Sequence, residues 1–153
     1  MQAFEAQRNA FLISDDPNRL QIQVIHKYLS EDSYWAQGVP MSIVEKSIAN
    51  SLCFGVYHEG QQIGFARMIT DRATFGYLAD VFILPDFRKQ GLSKWLMEVI
   101  LAHPELQTLR RMCLMTQDAQ GLYAQFGFHV FEFPERFMVR RFEVTYAAVK
   151  PTS

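Results

Sequence analysis

The chain has 153 residues, of which 49% are hydrophobic, 14% aromatic and 20% charged, and its formal net charge is −1. This length suits one domain with its own core, and the charge gives none of the basic surface typical of nucleic-acid-binding proteins, so we expect no nucleic-acid partner. The sequence has no secretory pattern at its start and no apolar run near the roughly 20 residues of a membrane span. We therefore expect a cytoplasmic protein without a membrane partner.

In chain order, strand-like and helix-like segments alternate. Residues 1–9 show no clear period and are interpreted as a loose arm. Short apolar runs between turn residues predict strands at 10–14, 51–57, 62–70, 74–84, 111–115, 128–133 and 137–142. Helical spacing and capping residues predict helices after Asp16, after Pro40, and at 91–102 and 118–126. This order predicts an α/β fold, with a mixed, twisted central sheet of about seven strands and helices on both faces.

The stretch at 78–97 carries the clearest functional signal. An apolar strand ends at a proline, a short basic loop with one glycine follows, and a helix begins directly after it. The first N–H groups of a helix lack internal partners and carry partial positive charge, so they can bind phosphate. Gly91 allows close backbone approach, and Arg88, Lys89 and Lys94 add positive charge. The pattern predicts a diphosphate cradle but does not specify the nucleotide.

Two motifs, in order and suitably separated, carry a family resemblance. Residues 88–93, the phosphate loop, read Arg-Lys-Gln-Gly-Leu-Ser, and residues 122–128 read Leu-Tyr-Ala-Gln-Phe-Gly-Phe. They resemble the acetyl-CoA loop and the tyrosine motif of the GNAT superfamily of N-acetyltransferases, in its small single-domain type. The order of predicted elements over about residues 10–142 is also that of the family.

The resemblance implies acetyl-CoA as the acetyl-donor co-substrate and an amine of a small molecule or peptide as acceptor. The implied acetyl-CoA contacts are Val81, Phe82 and Ile83 on a bulged strand, Arg88, Lys89, Gln90, Gly91, Leu92 and Ser93 in the phosphate loop, and Asp118 and Tyr123 beyond it. Ser93 stands at the last small position of the loop motif, and Asp118 stands where many relatives carry an Asn that contacts CoA. The four histidines lack paired metal-ligand spacing, so no metal is expected.

Two residues are candidates for the chemistry of transfer. Tyr123 is the predicted general acid for the CoA thiolate, and its alternative role is that of a core aromatic residue. Asp80 lies beside the expected thioester site and is a candidate general base, with a purely structural role as an equal alternative. The candidate walls of the acceptor pocket are Tyr34 and Trp35, in a polar loop, together with Phe75 and Tyr28. The place of Tyr28 on the apolar stripe of its helix favours a core role for that residue.

Two other classes of function stay open at this point. A non-catalytic acetyl-CoA sensor or regulatory module would need the phosphate loop but not the proton donor Tyr123. A protein-interaction domain that kept only the fold would be expected to have a damaged loop, and here the loop keeps Arg88 and Gly91. The phenylalanine-rich final hairpin makes a homodimer plausible. The identity of the acceptor does not follow from the fold.

Overall fold

The computed structural model describes residues 2–146. Its strands form one sheet in the order β1-β2-β3-β4-β5-β6. They are β1 (Glu5–Arg8), β2 (Phe11–Ser14), β3 (Leu52–His58), β4 (Gln61–Thr70), β5 (Phe75–Ile83) and β6 (Arg111–Leu114). The first five are antiparallel neighbours, and β6 pairs with β5 in parallel.

Four α-helices connect and cover these strands, together with short helical turns. They are α1 (Ile22–Lys27), α2 (Met41–Ala49), α3 (Leu92–Leu101) and α4 (Gln120–Ala124). A π-helical turn at Tyr28–Asp32 continues α1, and 3₁₀ turns lie at Pro17–Arg19, Pro85–Phe87, Pro104–Leu106 and Pro134–Arg136. Within the described chain, no helix combines the length and apolar character needed to cross a membrane.

The helices cover both faces of the sheet, as the sequence predicted. Phe54 of β3 belongs to a core cluster with Leu96 of α3. Its neighbour Cys53 belongs to a second cluster with Ile25 of α1 and Val44 of α2. Because successive residues of a strand point to opposite faces, the two clusters lie on opposite sides of the sheet.

The strand count differs from the expectation of about seven, because the sheet has six strands. The segment interpreted as a loose arm contributes β1, which pairs with β2 from Glu5↔Ser14 to Arg8↔Phe11 across a two-residue turn. Asn9 has a φ of 55° in this turn, a conformation that asparagine tolerates well.

The final hairpin expected at 128–133 and 137–142 is absent from the described residues, which have only a 3₁₀ turn there. A two-stranded hairpin with nothing to cover its apolar face gains little stability in water. Exposed large apolar side chains recur along this segment, at Val130, Phe133, Phe137, Met138, Val139, Phe142 and Val144. The homodimer stays a prediction, which the mass of the protein in solution would test.

A reciprocal pair of glutamines fixes the start of α1 against the sheet. The side-chain oxygen of the fully buried Gln62 accepts a hydrogen bond from the backbone N–H of Gln21 at 2.7 Å. The side-chain oxygen of Gln21 accepts one from the backbone N–H of Gln62 at 3.0 Å. Because both bonds join α1 to β4, they set the position of the helix that leads into the Tyr34–Trp35 loop.

A buried histidine joins the end of α3 to the first two strands. Nδ1 of His103 accepts a hydrogen bond from the backbone N–H of Glu105 at 3.2 Å, which assigns the proton to Nε2. Nε2 then donates to Oδ2 of Asp15 at 2.7 Å, and Oδ1 of Asp15 accepts from the backbone N–H of Phe4 at 2.8 Å. This network holds β1 onto the domain.

We expect His103→Ala to lower the free energy of unfolding by about 3 kcal/mol, because it leaves Asp15 without its donor and opens a cavity. Urea denaturation measures this loss. His129→Ala is the control, since that side chain is 71% exposed and its removal should change the value by less than about 0.5 kcal/mol. Equal effects of the two substitutions would contradict the structural role of His103.

Candidate active site

A β-bulge on β5 interrupts the centre of the sheet. Phe65 pairs with Phe82 and Arg67 pairs with Ala79, so two residues of β5, Asp80 and Val81, lie opposite the single residue between them on β4. Asp80 has a φ of 54°, in the left-handed region that is uncommon for residues other than glycine. The extra residue bends the strand and changes the direction of the residues that follow.

An opening between β5 and β6 begins just before the bulge. The register of this parallel pair ends at Leu78↔Leu114, where β6 itself ends, whereas β5 continues to Ile83. The last part of β5 therefore extends beyond the end of β6. Strand backbone at such an opening has N–H and C=O groups available for a ligand.

Asp80 accepts hydrogen bonds through both oxygens of its carboxylate. Nε of Arg67 donates to Oδ2 at 2.9 Å, and the indole Nε1 of Trp35 donates to Oδ1 at 2.8 Å. The ion pair is largely buried, with the side chains of Arg67 and Asp80 only 15% and 11% exposed. Nη1 of Arg67 also donates to the Ser51 hydroxyl at 3.2 Å. These bonds anchor the bulge and connect it to the Trp35 side chain.

The phosphate loop leads from the end of β5 into α3. Gly91 is the residue before the first turn of α3 and has a φ of 78°, and Lys89 has a φ of 64°. No side chain caps the first turn of α3. A shallow cavity of about 200 Å³ lies here, lined by Ile83, Phe87, Arg88, Lys89, Gly91, Leu92, Ser93, Lys94 and Leu122. The two lysines and the uncapped first turn of α3 thus lie at one cavity, and their role in binding a diphosphate stays a prediction.

The side chains of the phosphate loop point in different directions. Those of Lys89 and Gln90 are exposed, Ser93 is half-buried, and Leu92 is buried in the core. Arg88 turns toward the sheet, where its Nε donates to the Ile83 carbonyl at 2.9 Å. Its Nη2 donates to the Tyr28 hydroxyl at 3.0 Å. Arg88 therefore connects the phosphate loop to the end of β5 and to Tyr28, a role that the motif alone does not reveal.

Tyr123 lies on α4, which follows β6 along the chain. Its side chain is buried, and its ring packs edge-to-face against Phe128 at 5.8 Å between centroids. Burial raises the pKa of the Tyr123 hydroxyl, and nearby Tyr34 and Asp118 raise it further. The phenol therefore stays protonated at neutral pH. Asp118 itself is exposed, two residues before α4.

The loop between α1 and α2 brings Tyr34 and Trp35 to the bulge. Their rings pack edge-to-face at 5.0 Å, and both are substantially exposed, at 56% and 41%. The Tyr34 hydroxyl accepts a hydrogen bond from the backbone N–H of Gln117 at 3.3 Å, which links this loop to the segment before α4. Tyr34, Trp35, Asp80 and Tyr123 therefore share one region of the molecule.

Phe75 lies apart from this group. It is the first residue of β5, five positions before Asp80, which is about 16 Å along a strand. The structure therefore does not bring Phe75 together with Tyr34 and Trp35. Conversely, sequence reasoning missed Arg67 as the partner of Asp80. The sequence did indicate an ion pair for Arg67, because an arginine within the apolar run of β4 needs an acidic partner when it is buried.

Comparison with known proteins agrees with this geometry. A family model described as the acetyltransferase (GNAT) domain matches residues 49–130. A protein of Gibberella zeae, named as a candidate acetyltransferase, is 34% identical over 140 residues, which cover 77% of this chain and 78% of that protein.

Solved structures share the fold. The crystal structure of a candidate GNAT-family acetyltransferase from Xanthomonas campestris pv. campestris has a TM-score of 0.86 and 47% identity, covering 90% of this chain and 96% of that one. A GNAT family acetyltransferase from Elizabethkingia anophelis, with acetyl-CoA bound, has a TM-score of 0.61 at 12% identity, covering 89% of this chain and 90% of that one. The latter likeness concerns the fold alone.

The chain belongs to the GNAT family, and the resemblance found in its sequence is confirmed. It is an acetyltransferase of that family, whose members use acetyl-CoA. Among the described residues, His, Cys, Asp and Glu side chains nowhere gather in threes as they would around a metal ion.

We expect Gly91→Ala to weaken acetyl-CoA binding about 5- to 30-fold, because an L-residue at this φ costs about 1–2 kcal/mol and shifts the loop. A Cβ at Gly91 would meet nothing within 4 Å, so the effect comes from conformation and not from a clash. Gly121→Ala is the matched control, since its Cβ is equally free and its φ is ordinary. Calorimetric titration with acetyl-CoA measures both, and equal affinities would contradict the role of the left-handed turn.

We expect Asp80→Ala to lower the free energy of unfolding by about 3–5 kcal/mol, since it leaves the Arg67 guanidinium buried without its acid. Asp80→Asn should cost less, because asparagine tolerates a positive φ and its amide oxygen can still accept from Trp35. Urea denaturation of the two variants distinguishes these effects. Equal losses would show that neither the backbone conformation nor the Trp35 bond matters.

Proposed function

We propose that this chain transfers the acetyl group of acetyl-CoA to a primary amine of a small molecule or peptide, by direct attack in a ternary complex. The observation that carries the proposal is the opening of β5 beyond Leu78, with the phosphate loop at its end. The buried tyrosine of α4 adds the proton donor that transfer to an amine would use.

The cofactor contacts that we propose follow the opened strand. Backbone N–H groups of residues 89–94 would bind the diphosphate, with Lys89 and Lys94 adding charge at the rim of the cavity. Backbone groups of Val81–Ile83 would bind the pantetheine arm and the thioester. An N–H group directed at the developing oxyanion contributes about 3 kcal/mol in other enzymes.

The reaction that we propose balances without a further reagent. The amine nitrogen attacks the thioester carbonyl carbon, and a C–N bond forms while a tetrahedral oxyanion develops. The C–S bond then breaks, the oxyanion returns to a carbonyl, and CoA leaves as a thiolate. The amine loses one proton to a base, and the thiolate gains one proton from an acid.

Tyr123 is the acid in this proposal. Burial raises the pKa of the Tyr123 phenol above its usual value, so it transfers its proton to a thiolate of pKa about 8.5 only uphill, and its hydrogen bond acts mainly by stabilising the leaving thiolate. The buried position of the ring supports this role, because desolvation strengthens a hydrogen bond to an anion. A sensor that only binds acetyl-CoA has no use for such a donor.

The acceptor side of the proposal rests on Tyr34 and Trp35, which lie beside the bulge. Asp80 as general base stays a prediction, and its two bonded oxygens favour a positioning role for it. A lysine-like amine is mostly protonated at neutral pH and needs a base, whereas an α-amine of pKa about 8 scarcely needs one. The class of acceptor therefore decides whether a base is needed.

The proposal is tested by measuring release of free CoA from acetyl-CoA against a panel of primary amines, by thiol detection. Burial raises the pKa of the Cys53 thiol to about 12, so this residue reacts slowly with the reagent, and a blank without acetyl-CoA accounts for Cys113. Amine-dependent release supports the proposal. If acetyl-CoA raises the melting temperature of the protein but no amine of the panel causes release of CoA, the result would favour a non-catalytic sensor.

We expect Tyr123→Phe to lower kcat about 10²–10⁴-fold while acetyl-CoA still binds, as for loss of a general acid. The acid is needed in its protonated form, and burial raises the pKa of its hydroxyl above the usual value, so Tyr123 should cause no fall in rate as pH rises from 7 to 9. A pH–rate profile of both proteins checks this. Full turnover in Tyr123→Phe, or a descending limb below pH 9 that the variant lacks, would contradict the assignment.

A further inference from the structure

We infer that Arg88 and Tyr28 form a strut through which cofactor binding at the phosphate loop orders the acceptor loop, residues 33–38, and that Tyr28 is thus a positioning residue for the acceptor. The inference rests on the proposed function. The strut is the hydrogen bond of 3.0 Å from Nη2 of Arg88 to the Tyr28 hydroxyl.

The strut is fixed at its cofactor end. Nε of Arg88 donates to the Ile83 carbonyl at 2.9 Å. One guanidinium therefore joins the phosphate loop to the end of β5 and to the π-helical turn after α1. The backbone N–H of Arg88 also donates to the Pro85 carbonyl at 3.2 Å. Any change in the position of the phosphate loop is therefore transmitted to the Tyr28 ring through a planar group held at two points.

The strut is also fixed at its acceptor end. The Tyr28 ring stacks on Phe82 at 4.0 Å between centroids, with 11° between the planes, and it is only 8% exposed. Its centroid lies 6.4 Å from that of Trp35, whose indole is bonded to Asp80. Tyr28 thus contacts the bulged strand that we assign to the thioester.

The first residue of the acceptor loop, Ser33, is hydrogen-bonded to the backbone of Tyr28. The N–H of Ser33 donates to the Tyr28 carbonyl at 2.9 Å, which closes the π-helical turn. The Ser33 hydroxyl donates to the Leu29 carbonyl at 2.6 Å and accepts from the N–H of Ala36 at 3.1 Å. Single π-helical turns of this kind often occur at functional sites. The position of Tyr28 therefore sets that of Trp35.

This chain of contacts predicts a coupling between the two binding sites. Ordering of the phosphate loop by a diphosphate should order the acceptor loop, and by reciprocity an acceptor should tighten cofactor binding by the same factor. Because Tyr28→Phe keeps the stacked ring and removes only the hydroxyl, it should abolish the coupling while leaving both sites in place.

The test uses adenosine 3′-phosphate 5′-diphosphate, which carries the diphosphate of CoA but lacks the pantetheine arm that could shield Trp35 directly. Acrylamide quenching of Trp35 fluorescence is measured with and without this nucleotide. The emission of the second tryptophan, the buried Trp95, is measured in the Trp35→Phe variant and subtracted. In the unaltered chain we expect the nucleotide to lower the Stern–Volmer slope. In Tyr28→Phe the nucleotide should still bind by calorimetry but leave the slope unchanged.

Tyr57→Phe is the matched control, because among the described residues the Tyr57 hydroxyl is buried without a hydrogen-bond partner. It should respond to the nucleotide like the unaltered chain. An equal response in Tyr28→Phe, or no response in the unaltered chain although nucleotide binds, overturns the strut and leaves the proposed function standing. If neither the nucleotide nor CoA binds, the proposed function fails, and the strut fails with it.

Discussion

The ion pair between Arg67 and Asp80 is the constraint on which the rest of the site depends. It holds Asp80 in a left-handed backbone conformation, which costs about 1–3 kcal/mol and persists only where its surroundings enforce it. That conformation creates the bulge, and beyond the bulge β5 extends past the end of β6. A regular strand here would pair Val81–Ile83 with β4 in another register and direct their backbone groups differently. Backbone strain at this point is thus part of how the sheet makes a ligand site.

The helix α1 and the π-helical turn that continues it are fixed to the sheet at both ends. The glutamine pair Gln21–Gln62 sets the start of this helix on β4, and the stack of Tyr28 on Phe82 sets its end on β5. The phosphate loop, the bulged strand β5 and the loop that carries Trp35 therefore meet around the Tyr28 ring. Arg88 is exposed, yet its guanidinium is hydrogen-bonded to the Ile83 carbonyl and the Tyr28 hydroxyl, so its side chain positions the loop while backbone N–H groups remain available to phosphate.

Local patterns in the sequence predicted much of this candidate site. The remaining features depend on contacts between residues far apart in the sequence, which no local pattern predicts. The phosphate loop and α3 follow from a strand, a glycine and an amphipathic helix within 20 residues, so they were predictable. The strut joins residues 60 positions apart, and no local pattern records it. β1 was missed because its sequence, Glu-Ala-Gln-Arg, is mostly polar and shows no apolar alternation. An edge strand can form from such a sequence, since pairing with one neighbouring strand across a turn is sufficient. The final hairpin was predicted from apolar runs on either side of a turn, yet within residues 2–146 no element covers the apolar side chains of this segment.

The central claim is that the opened end of β5 and the phosphate loop together hold the cofactor. Amide NMR of the ¹⁵N-labelled protein, titrated with CoA, tests it most directly. We expect the largest shifts on Val81–Ile83 and on residues 89–94, whereas the amides of the β1–β2 hairpin, Glu5–Ser14, should stay unchanged. Saturable binding that shifts other amides and leaves these two segments unchanged would contradict it.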